Sequence, residues 1–416
     1  MLIEKERGPY FLHNNAFQTI NIAVIFPYKY NDKDFMNTRL INDVINRSMH
    51  YKEKQDFKKA IITNQIIDLY PSEFYVDGTK YTRFNLIIPN PKNLKGVSVE
   101  KCIAFLADYI YNPFTENNGF EKKEVLNTID NYKKGIEESD HLIVNYATRR
   151  LFEISAPNTV FSSTMASHKS QLDKITPQSL YSFYKQNIIK GNPFVFVMGD
   201  VDEKEITNLI NKYIFKTKEK TIKINKVQNH FLEPFEFQAI TEEKEFFQSF
   251  ISLTYKVEDM KEKDRYTLGA IYKLLDYRSS YILMKKMRLE NDLVYTTGLR
   301  GNTRYGFLSL IALINRDSKD KAIKTFEEII NLLKDENYIE PLLTKIKKEE
   351  KIMIIKDKDK KMMILNDFID KTLGFYKGTD YDYKKLCKVT AKDVAELAGR
   401  LILDTQYFVR GMKNAK

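Results

Sequence analysis

The residues best suited to chemistry lie in one short stretch, "MRLENDLVYTTG" at positions 287–298. Arg288 closes a predicted helix, and Tyr295 follows seven residues later, early in a predicted strand. A guanidinium is a permanent hydrogen-bond donor, and a phenol can donate to an oxyanion that develops in a transition state. An Arg in a last helical turn also complements the helix dipole, and Tyr is common in strands. The stretch contains no Ser or His, so it offers donors without a reaction centre.

The histidines and cysteines are not spaced along the sequence as the ligands of a metal site would be. No two of the five histidines have the spacing of zinc ligands on one helix, so we expect each to be solvated or satisfied by a neighbour. These residues are His13, His50, His141, His168 and His230. The two cysteines, Cys102 and Cys387, are too few for a disulfide framework and too isolated for a metal cluster, which favours a reducing compartment.

Three further motifs have structural interpretations. Glu121 and Glu124 lie one turn apart on a predicted long helix, where paired carboxylates are usually a solvated face. The stretch "GLRGNTRYG" (298–306) has three glycines but no Lys-Ser/Thr ending and no helix after it, which predicts a hairpin turn instead of a phosphate loop. In "MGDVDEKE" (198–205), Asp202 is a predicted N-cap followed by acidic residues in the first helical turn.

The composition predicts a globular protein without a membrane span. The 416 residues are 43% hydrophobic and 13% aromatic, enough for two or three domains with proper cores. The N-terminal residues show no apolar run of a signal peptide, and the longest apolar stretch, 307–314, is too short to span a membrane. The net charge of +11 is spread along the chain, with Lys interleaved with Glu and Asp, so we expect no nucleic-acid partner, while an acidic partner or substrate stays open. The expected location is cytoplasmic.

An internal repeat sets the predicted organisation. Segments 175–197 and 389–411 align without a gap at an offset of 214, and each begins with a Thr helix cap and ends in an apolar strand. Strand patterns at 20–26 and 249–255 are each followed by an amphipathic helix. We therefore predict two homologous domains, at 1–215 and 230–416, joined by a polar linker at 216–229. The predicted class is α+β, with an antiparallel-rich sheet and helices on one face in each domain.

The two-domain repeat resembles the pitrilysin/insulinase-type family of zinc peptidases, the inverzincins, and most of all the bacterial subunits that lack the zinc motif. The order and spacing of several stretches carry this resemblance across both domains. They are 68–88, 111–138, 173–188, 195–213 and 282–298. The resemblance implies that the two domains form a clam-shell.

This sequence departs from the active members of the family mainly in lacking their zinc motif. Those members carry His-x-x-Glu-His on the first helix of the first domain, which corresponds to residues near 36–51. Here that segment offers Asn42, Asp43 and Asn46, with a lone His50 at its end. Zinc needs two neutral imidazoles one turn apart, with a Glu between them to activate water. We therefore predict no metal site and no cofactor in this chain, with zinc only in a partner subunit.

The resemblance also implies a role for Arg288 and Tyr295. In family members an Arg and a Tyr at this helix–strand junction bind the substrate backbone and steady the tetrahedral intermediate, and Arg288 and Tyr295 match their separation. The implied function is the non-catalytic subunit of a heterodimeric zinc endopeptidase that processes peptides, with no activity alone. The alternative is an inert scaffold or peptide-binding protein of the same fold. A neighbouring gene for a similar chain with His-x-x-Glu-His would discriminate between the two.

Overall fold

The computed structural model of the chain describes residues 2–276 and 282–412, apart from the side chain of Tyr295. Within these ranges the chain forms two five-stranded sheets, two short two-stranded sheets and helices that pack on them. The strands are β1 (Leu2–Glu6), β2 (Tyr10–His13), β3 (Thr19–Lys29), β4 (Asp68–Val76), β5 (Thr79–Pro89), β6 (Thr115–Glu116), β7 (Gly119–Phe120), β8 (Phe194–Gly199), β9 (Thr221–Asn225), β10 (Gln238–Lys244), β11 (Ser249–Val257), β12 (Val294–Asn302), β13 (Phe307–Ile314) and β14 (Leu401–Gly411).

Helices connect the strands in both halves of the sequence. They are α1 (Phe35–Val44), α2 (Lys54–Thr63), α3 (Val99–Tyr111), α4 (Lys122–Asp140), α5 (Ile143–Ser155), α6 (Pro177–Tyr184), α7 (Glu203–Tyr213), α8 (Asp264–Leu275), α9 (Ile282–Met284), α10 (Lys319–Leu332), α11 (Glu336–Asp357), α12 (Lys361–Leu373), α13 (Thr379–Lys388) and α14 (Ala391–Gly399). None of the helices in the described ranges combines the length and the apolar composition that crossing a membrane requires.

The two large sheets have the same topology. The strand order is β2-β8-β3-β5-β4 in the first sheet and β10-β14-β11-β13-β12 in the second. In each sheet the strand at one edge runs parallel to its neighbour, and the remaining neighbours are antiparallel. The equivalent order confirms the predicted α+β class and the repetition of one fold in the two halves.

One compact unit is built on the first sheet and comprises Met1–Ile136, Met165–Val227 and Leu365–Tyr376. Its main core lies between one sheet face and helices that include α1, α3 and α6. Residues of α12 and the turn after it cover the opposite face. There the ring of Phe368 packs edge-on against Phe196, with centroids 5.6 Å apart.

The other compact unit is built on the second sheet and comprises Glu137–Thr164, Gln228–Ile364 and Lys377–Lys416. Its main core lies between one sheet face and helices that include α8, α10 and α14. Helix α5 covers the opposite face, where Ala147 and Leu151 pack with Phe250, Tyr407 and Val409. Both sheets are therefore covered on both faces, whereas the sequence predicted helices on one face. The additional layer exists because alternate strand positions are apolar on both faces.

The repeat at offset 214 holds in the helices that precede the last strand of each sheet. Thr176 caps α6 and Thr390 caps α14, and each closes a capping box with the residue three positions on. Leu180 and Val394, which the alignment matched, are both fully buried in the main cores. Helices α6 and α14 therefore have equivalent caps and equivalent buried positions in the two units.

The same alignment fails inside the strands. Ile188 is fully buried, whereas its match Ile402 is 37% exposed. Phe408 lies in the main core of its unit, whereas its match Phe194 lies on the other sheet face, because its neighbour Val195 faces the core. A π-helical turn at Lys185–Ile189 lengthens the first connection, so the structural offset differs from the gapless one.

The segment predicted as a linker contains regular structure. Residues 221–225 form β9, which pairs antiparallel with β1 at the N-terminus. Ile222 and Ile224 are buried, in alternation with exposed lysine and threonine side chains. The predicted boundaries at 1–215, 216–229 and 230–416 stay a prediction.

Candidate functional site

Helix α1 overlaps the segment at which the family resemblance leads us to expect the zinc motif. Its buried face carries Met36, Leu40 and Ile41, which anchor it in the main core of the first unit. Arg39 and Asp43 lie off that face. The helix ends at Val44, so His50 lies beyond it.

A set of charged and polar side chains, which we call the α1 cluster, surrounds the outward side of α1. It consists of Arg39, Asp43, Glu73, Lys80 and Tyr132. Arg39 Nη1 lies 3.4 Å from Glu73 Oε1, and Lys80 Nζ lies 2.7 Å from Glu73 Oε2. The Tyr132 hydroxyl donates to Asp43 Oδ2 at 2.6 Å. Strand β4 and helix α4 thus supply the partners of the two α1 residues, and β5 supplies a second cation for Glu73.

Burial dominates the electrostatics of the α1 cluster. The pKa of Lys80 is lowered by burial, with the attraction of Glu73 as the main opposing effect. The pKa of Tyr132 is raised by burial first and then by its hydrogen bond to Asp43. The α1 cluster is therefore held together by ion pairs and a hydrogen bond among partly buried side chains.

The donor set at α1 does not fit zinc. Arg39 is a permanent cation and Asp43 is engaged by Tyr132, so neither supplies the neutral imidazole that such a zinc site needs. His50 Nδ1 lies 2.5 Å from Asp108 Oδ1, and Ser48 donates to the other oxygen of the same carboxylate. No group of three or more His, Cys, Asp or Glu suited to a metal ion occurs in residues 2–276 and 282–412.

The paired carboxylates of the sequence analysis are engaged by cations. Arg47 Nη2 lies 2.9 Å from Glu121 Oε2, and Lys54 Nζ lies 2.6 Å from Glu124 Oε2. Glu121 precedes the first residue of α4 instead of lying within the helix. Asp202 caps α7 and accepts from the Glu205 backbone N–H at 3.0 Å, as the sequence indicated.

Two other histidines have local partners, in accord with the expectation of satisfied side chains. His13 Nε2 lies 2.6 Å from Glu203 Oε1 at the start of α7. The His168 ring stacks on Phe35 with centroids 4.3 Å apart. Neither histidine forms part of a metal-binding cluster among the described residues.

Arg288 lies in a π-helical turn, Lys285–Glu290, that leads into β12. Met287 anchors this turn in the core, while Arg288 is exposed. The Arg288 carbonyl accepts from the Asp292 N–H at 3.0 Å, and the Met287 carbonyl accepts from the Leu293 N–H at 2.9 Å. Single π-helical turns frequently occur at functional sites, where they re-aim side chains. The predicted helix–strand junction is present, although its last turn is wider than an α-helix.

Tyr295 lies in β12, one residue after the strand begins. The pairing of β12 with β13 is irregular here, with a register shift between Val294 and Thr296. The side chain of Tyr295 lies outside the described residues, as do residues 277–281, which precede α9. The assignment of Arg288 and Tyr295 as a pair therefore stays a prediction.

Comparison with protein families supports the resemblance that the sequence suggested. Residues 174–349 match the family described as peptidase M16 inactive domain. A protein of Bacillus subtilis strain 168, named probable inactive metalloprotease YmfF, is 23% identical over 367 residues and is covered to 86% in both chains.

Solved structures match the chain over almost its whole length. A conserved protein from Enterococcus faecalis V583 superimposes with a TM-score of 0.84 at 18% identity, covering 97% of this chain and 96% of the other. A protease from Helicobacter pylori gives 0.73 at 16% identity, covering 99% of both chains. A peptidase M16 inactive domain from Pseudomonas fluorescens gives 0.68 at 13% identity, covering 96% of this chain and 93% of the other. At these identities the matches establish the fold.

Proposed function

We propose that this chain is the non-catalytic subunit of a heterodimeric zinc endopeptidase. Its relation to the peptidase M16 family, whose inactive domain matches residues 174–349, supports this proposal. A homologous partner subunit supplies the zinc, and this chain supplies substrate contacts through Arg288 and Tyr295. The substrate is a peptide, processed in the cytoplasm. The chain alone hydrolyses nothing.

The α1 cluster supports the division of labour. The helix at which the resemblance leads us to expect the zinc motif carries side chains that already have partners among one another. The name of the Bacillus relative, an inactive metalloprotease, agrees with this inference.

One observation carries the role in hydrolysis, namely the exposed Arg288 on a π-helical turn that Met287 fixes in the core. A guanidinium fork carried by a packed turn can donate to a peptide carbonyl or to an oxyanion. Arg288 also shares its junction with Tyr295, which the family resemblance pairs with it. An inert scaffold would need neither residue.

Reconstitution tests the proposal. The chain is purified alone and together with a homologous chain that carries His-x-x-Glu-His, and zinc content and peptide hydrolysis are measured for each and for the mixture. We expect one zinc per heterodimer, all of it lost when the partner's histidines are replaced, and hydrolysis in the mixture alone.

Two results would reject the proposal. Stoichiometric zinc with chelator-sensitive cleavage by this chain alone would make it an enzyme in its own right. A stable heterodimer whose partner cleaves peptides equally well without this chain would leave the scaffold or peptide-binding role.

A further inference from the structure

Helix α11 carries an unusual stripe on its solvent face, which we call the α11 stripe. Positions three and four residues apart on a helix lie on the same side, and six such residues of α11 are exposed. They are Pro341, Lys345, Lys348, Ile352, Ile355 and Lys356. The opposite side of the helix is anchored in the second unit by Ile339, Leu343 and Ile346. The stripe is thus the outward face of a firmly packed helix.

Two isoleucines stand side by side on the α11 stripe. Ile352 is 64% exposed and Ile355 is 58% exposed, and they lie one turn apart. A single exposed apolar side chain is normal on a protein surface, but two adjacent large ones at the end of a helix form a small apolar patch. Met363, at the start of α12, is also 49% exposed.

Lysines surround the two isoleucines. Lys348 precedes Ile352 by one turn, and Lys356 follows it by one turn. The acidic residues of this part of α11 are Glu349, Glu350 and Asp357, and all three are partly buried. Glu349 borders the stripe, Glu350 accepts from Lys273 Nζ at 2.8 Å, and Asp357 accepts from Lys360 Nζ at 2.8 Å. The stripe itself contains three lysines and no carboxylate.

We infer that the α11 stripe binds the surface of an anionic lipid bilayer. Lysines beside exposed aliphatic side chains are the combination that holds peripheral proteins at such surfaces, because the ammonium groups meet lipid phosphates while the aliphatic groups enter the acyl boundary. The assignment is independent of the proposed peptidase role, since α11 carries neither Arg288 nor Tyr295.

The composition of the stripe favours lipid over a macromolecular partner. Protein interfaces are enriched in aromatic residues, Met and Arg and are depleted in Lys, which is the reverse of this stripe. Single-stranded nucleic acid needs aromatic stacking platforms, and the stripe has no aromatic side chain. A bilayer surface accepts flexible point charges without a fixed geometry, which suits lysine.

Sedimentation with vesicles tests the inference. The full chain is mixed with vesicles of phosphatidylcholine alone and with vesicles that contain about a third phosphatidylglycerol. We expect binding to the anionic vesicles only, weakened by salt because the attraction is screened. Each lysine near an anionic surface strengthens binding about fivefold, so Lys348→Glu with Lys356→Glu should weaken it by at least tenfold. Ile352→Ser with Ile355→Ser should weaken it at unchanged net charge.

A matched double variant on α2 provides the control for the lysine pair. Lys58 and Lys59 are both exposed, so Lys58→Glu with Lys59→Glu makes the same change in net charge elsewhere on the surface. This variant should bind anionic vesicles almost as the wild type does. Thermal melts of all variants verify folding, since none of the changed residues is buried.

Three results would overturn the inference. The first is no binding of the wild type to anionic vesicles at low salt. The second is equal binding to the neutral and anionic vesicles. The third is an equal loss of vesicle binding in the α2 control and in the α11 variants. That result would mean that the overall charge of the protein, and not the α11 stripe, causes the binding.

Discussion

Arg288 can be replaced without disturbing the packing that holds its turn, because Met287 and not Arg288 faces the core. Arg288→Ala should lower the turnover of the reconstituted heterodimer by about 10² to 10³, the usual cost of losing one oxyanion donor. Tyr295→Phe should act in the same direction. The melting temperature and heterodimer formation should stay unchanged. Steady-state kinetics distinguish a transition-state role, which lowers kcat, from uniform binding, which raises KM alone.

Lys285→Ala is the matched control for Arg288→Ala. Lys285 begins the same π-helical turn and is exposed, so its removal also deletes a cation near the end of the helix. If Arg288 merely complements the dipole, both variants should lose no more than about 1 kcal/mol of stability and keep full turnover. Full turnover in both Arg288→Ala and Tyr295→Phe would reject the proposed role.

A fully buried ion pair lies within the second unit. Lys256 Nζ is 2.6 Å from Asp404 Oδ2, and both side chains are completely buried. Lys256 Nζ also lies 3.3 Å from the ring centroid of Phe235, and Thr405 donates to the other Asp404 oxygen at 2.8 Å. Burial lowers the pKa of Lys256, against the attraction of Asp404. Asp404 is therefore the carboxylate that offsets the cost of burying the Lys256 ammonium.

Asp404→Ala should reduce the free energy of unfolding by about 3–5 kcal/mol, because it leaves a buried ammonium without its partner. Urea denaturation measures the change. Lys59→Ala serves as the comparison, since the Lys59–Asp56 pair is largely exposed and should contribute less than about 1 kcal/mol. Equal losses of unfolding free energy in the two variants would show that the buried ion pair contributes no more than the exposed one.

The pH dependence of the same variant has a definite sign. When a base has a lower pKa in the folded than in the unfolded chain, the unfolded chain binds more protons between the two values, and stability rises with pH there. Without Asp404 the folded pKa of Lys256 should fall further. The deficit of Asp404→Ala relative to wild type should therefore shrink as pH rises towards 10.5, the ordinary value for lysine. Urea denaturation of both proteins at pH 7 and pH 9.5 measures this difference in unfolding free energy. A difference that is the same at both pH values would contradict the prediction.

At the scale of elements, periodicity predicted the central strands and their helices well. The alternating pattern at 20–26 lies in β3, the pattern at 249–255 lies in β11, and the spacing of Leu268, Ile271 and Leu275 lies in α8. These elements bury one regular stripe or face in a large core, so their sequence pattern alone specifies them. The absence of the zinc motif from α1 was equally visible, because it depends on residue types at fixed spacing.

Pairings between distant segments could not be predicted. A helical stripe shows that α5 and α12 are buried, but it does not tell which sheet each covers. Glu73, Lys80 and Tyr132 come from two strands and a helix, so nothing local to α1 indicated that they meet Arg39 and Asp43. The alternation of Ile222 and Ile224 was a signal for β9, hidden by the polar residues around it.

Leu151→Ala tests the packing of α5 on the second sheet. The side chain is fully buried against a cluster that includes Phe250 and Val409, so truncation should cost about 2–5 kcal/mol. Leu126→Ala makes the same chemical change at a position of α4 that is 46% exposed, and should stay within about 0.5 kcal/mol of wild type. Similar urea midpoints for both variants would mean that α5 contributes little to the sheet it covers.

At the scale of the whole molecule, the two compact units interleave along the chain. Residues 137–164 of the first half belong to the second unit, and residues 365–376 of the second half belong to the first. In each unit, one face of the sheet is therefore covered by a segment from the other half of the sequence. The predicted boundaries at 1–215 and 230–416 would cut through this exchange.

Expression of residues 1–228 and 229–416 as separate chains tests the dependence. We expect each half alone to leave the outer face of its sheet uncovered, to bind a hydrophobic dye and to lack a cooperative melt. Co-expression should restore a stable complex that melts as the intact chain does. A cooperative melt without dye binding in either half alone would contradict the expectation.

The covering of the first sheet by residues 365–376 has a consequence for synthesis on the ribosome. The last strand of that sheet, β8, ends at Gly199, yet the segment that covers its outer face is made more than a hundred residues later. At translation rates of about 5–20 residues per second, that face, with Phe196 upon it, waits on the order of 10–30 s for its cover. The nascent chain thus passes through a long interval in which a finished sheet presents aromatic side chains to water. We expect a chaperone that binds exposed apolar segments to raise the yield of this protein when it acts during translation, and to raise it far less when it is added afterwards.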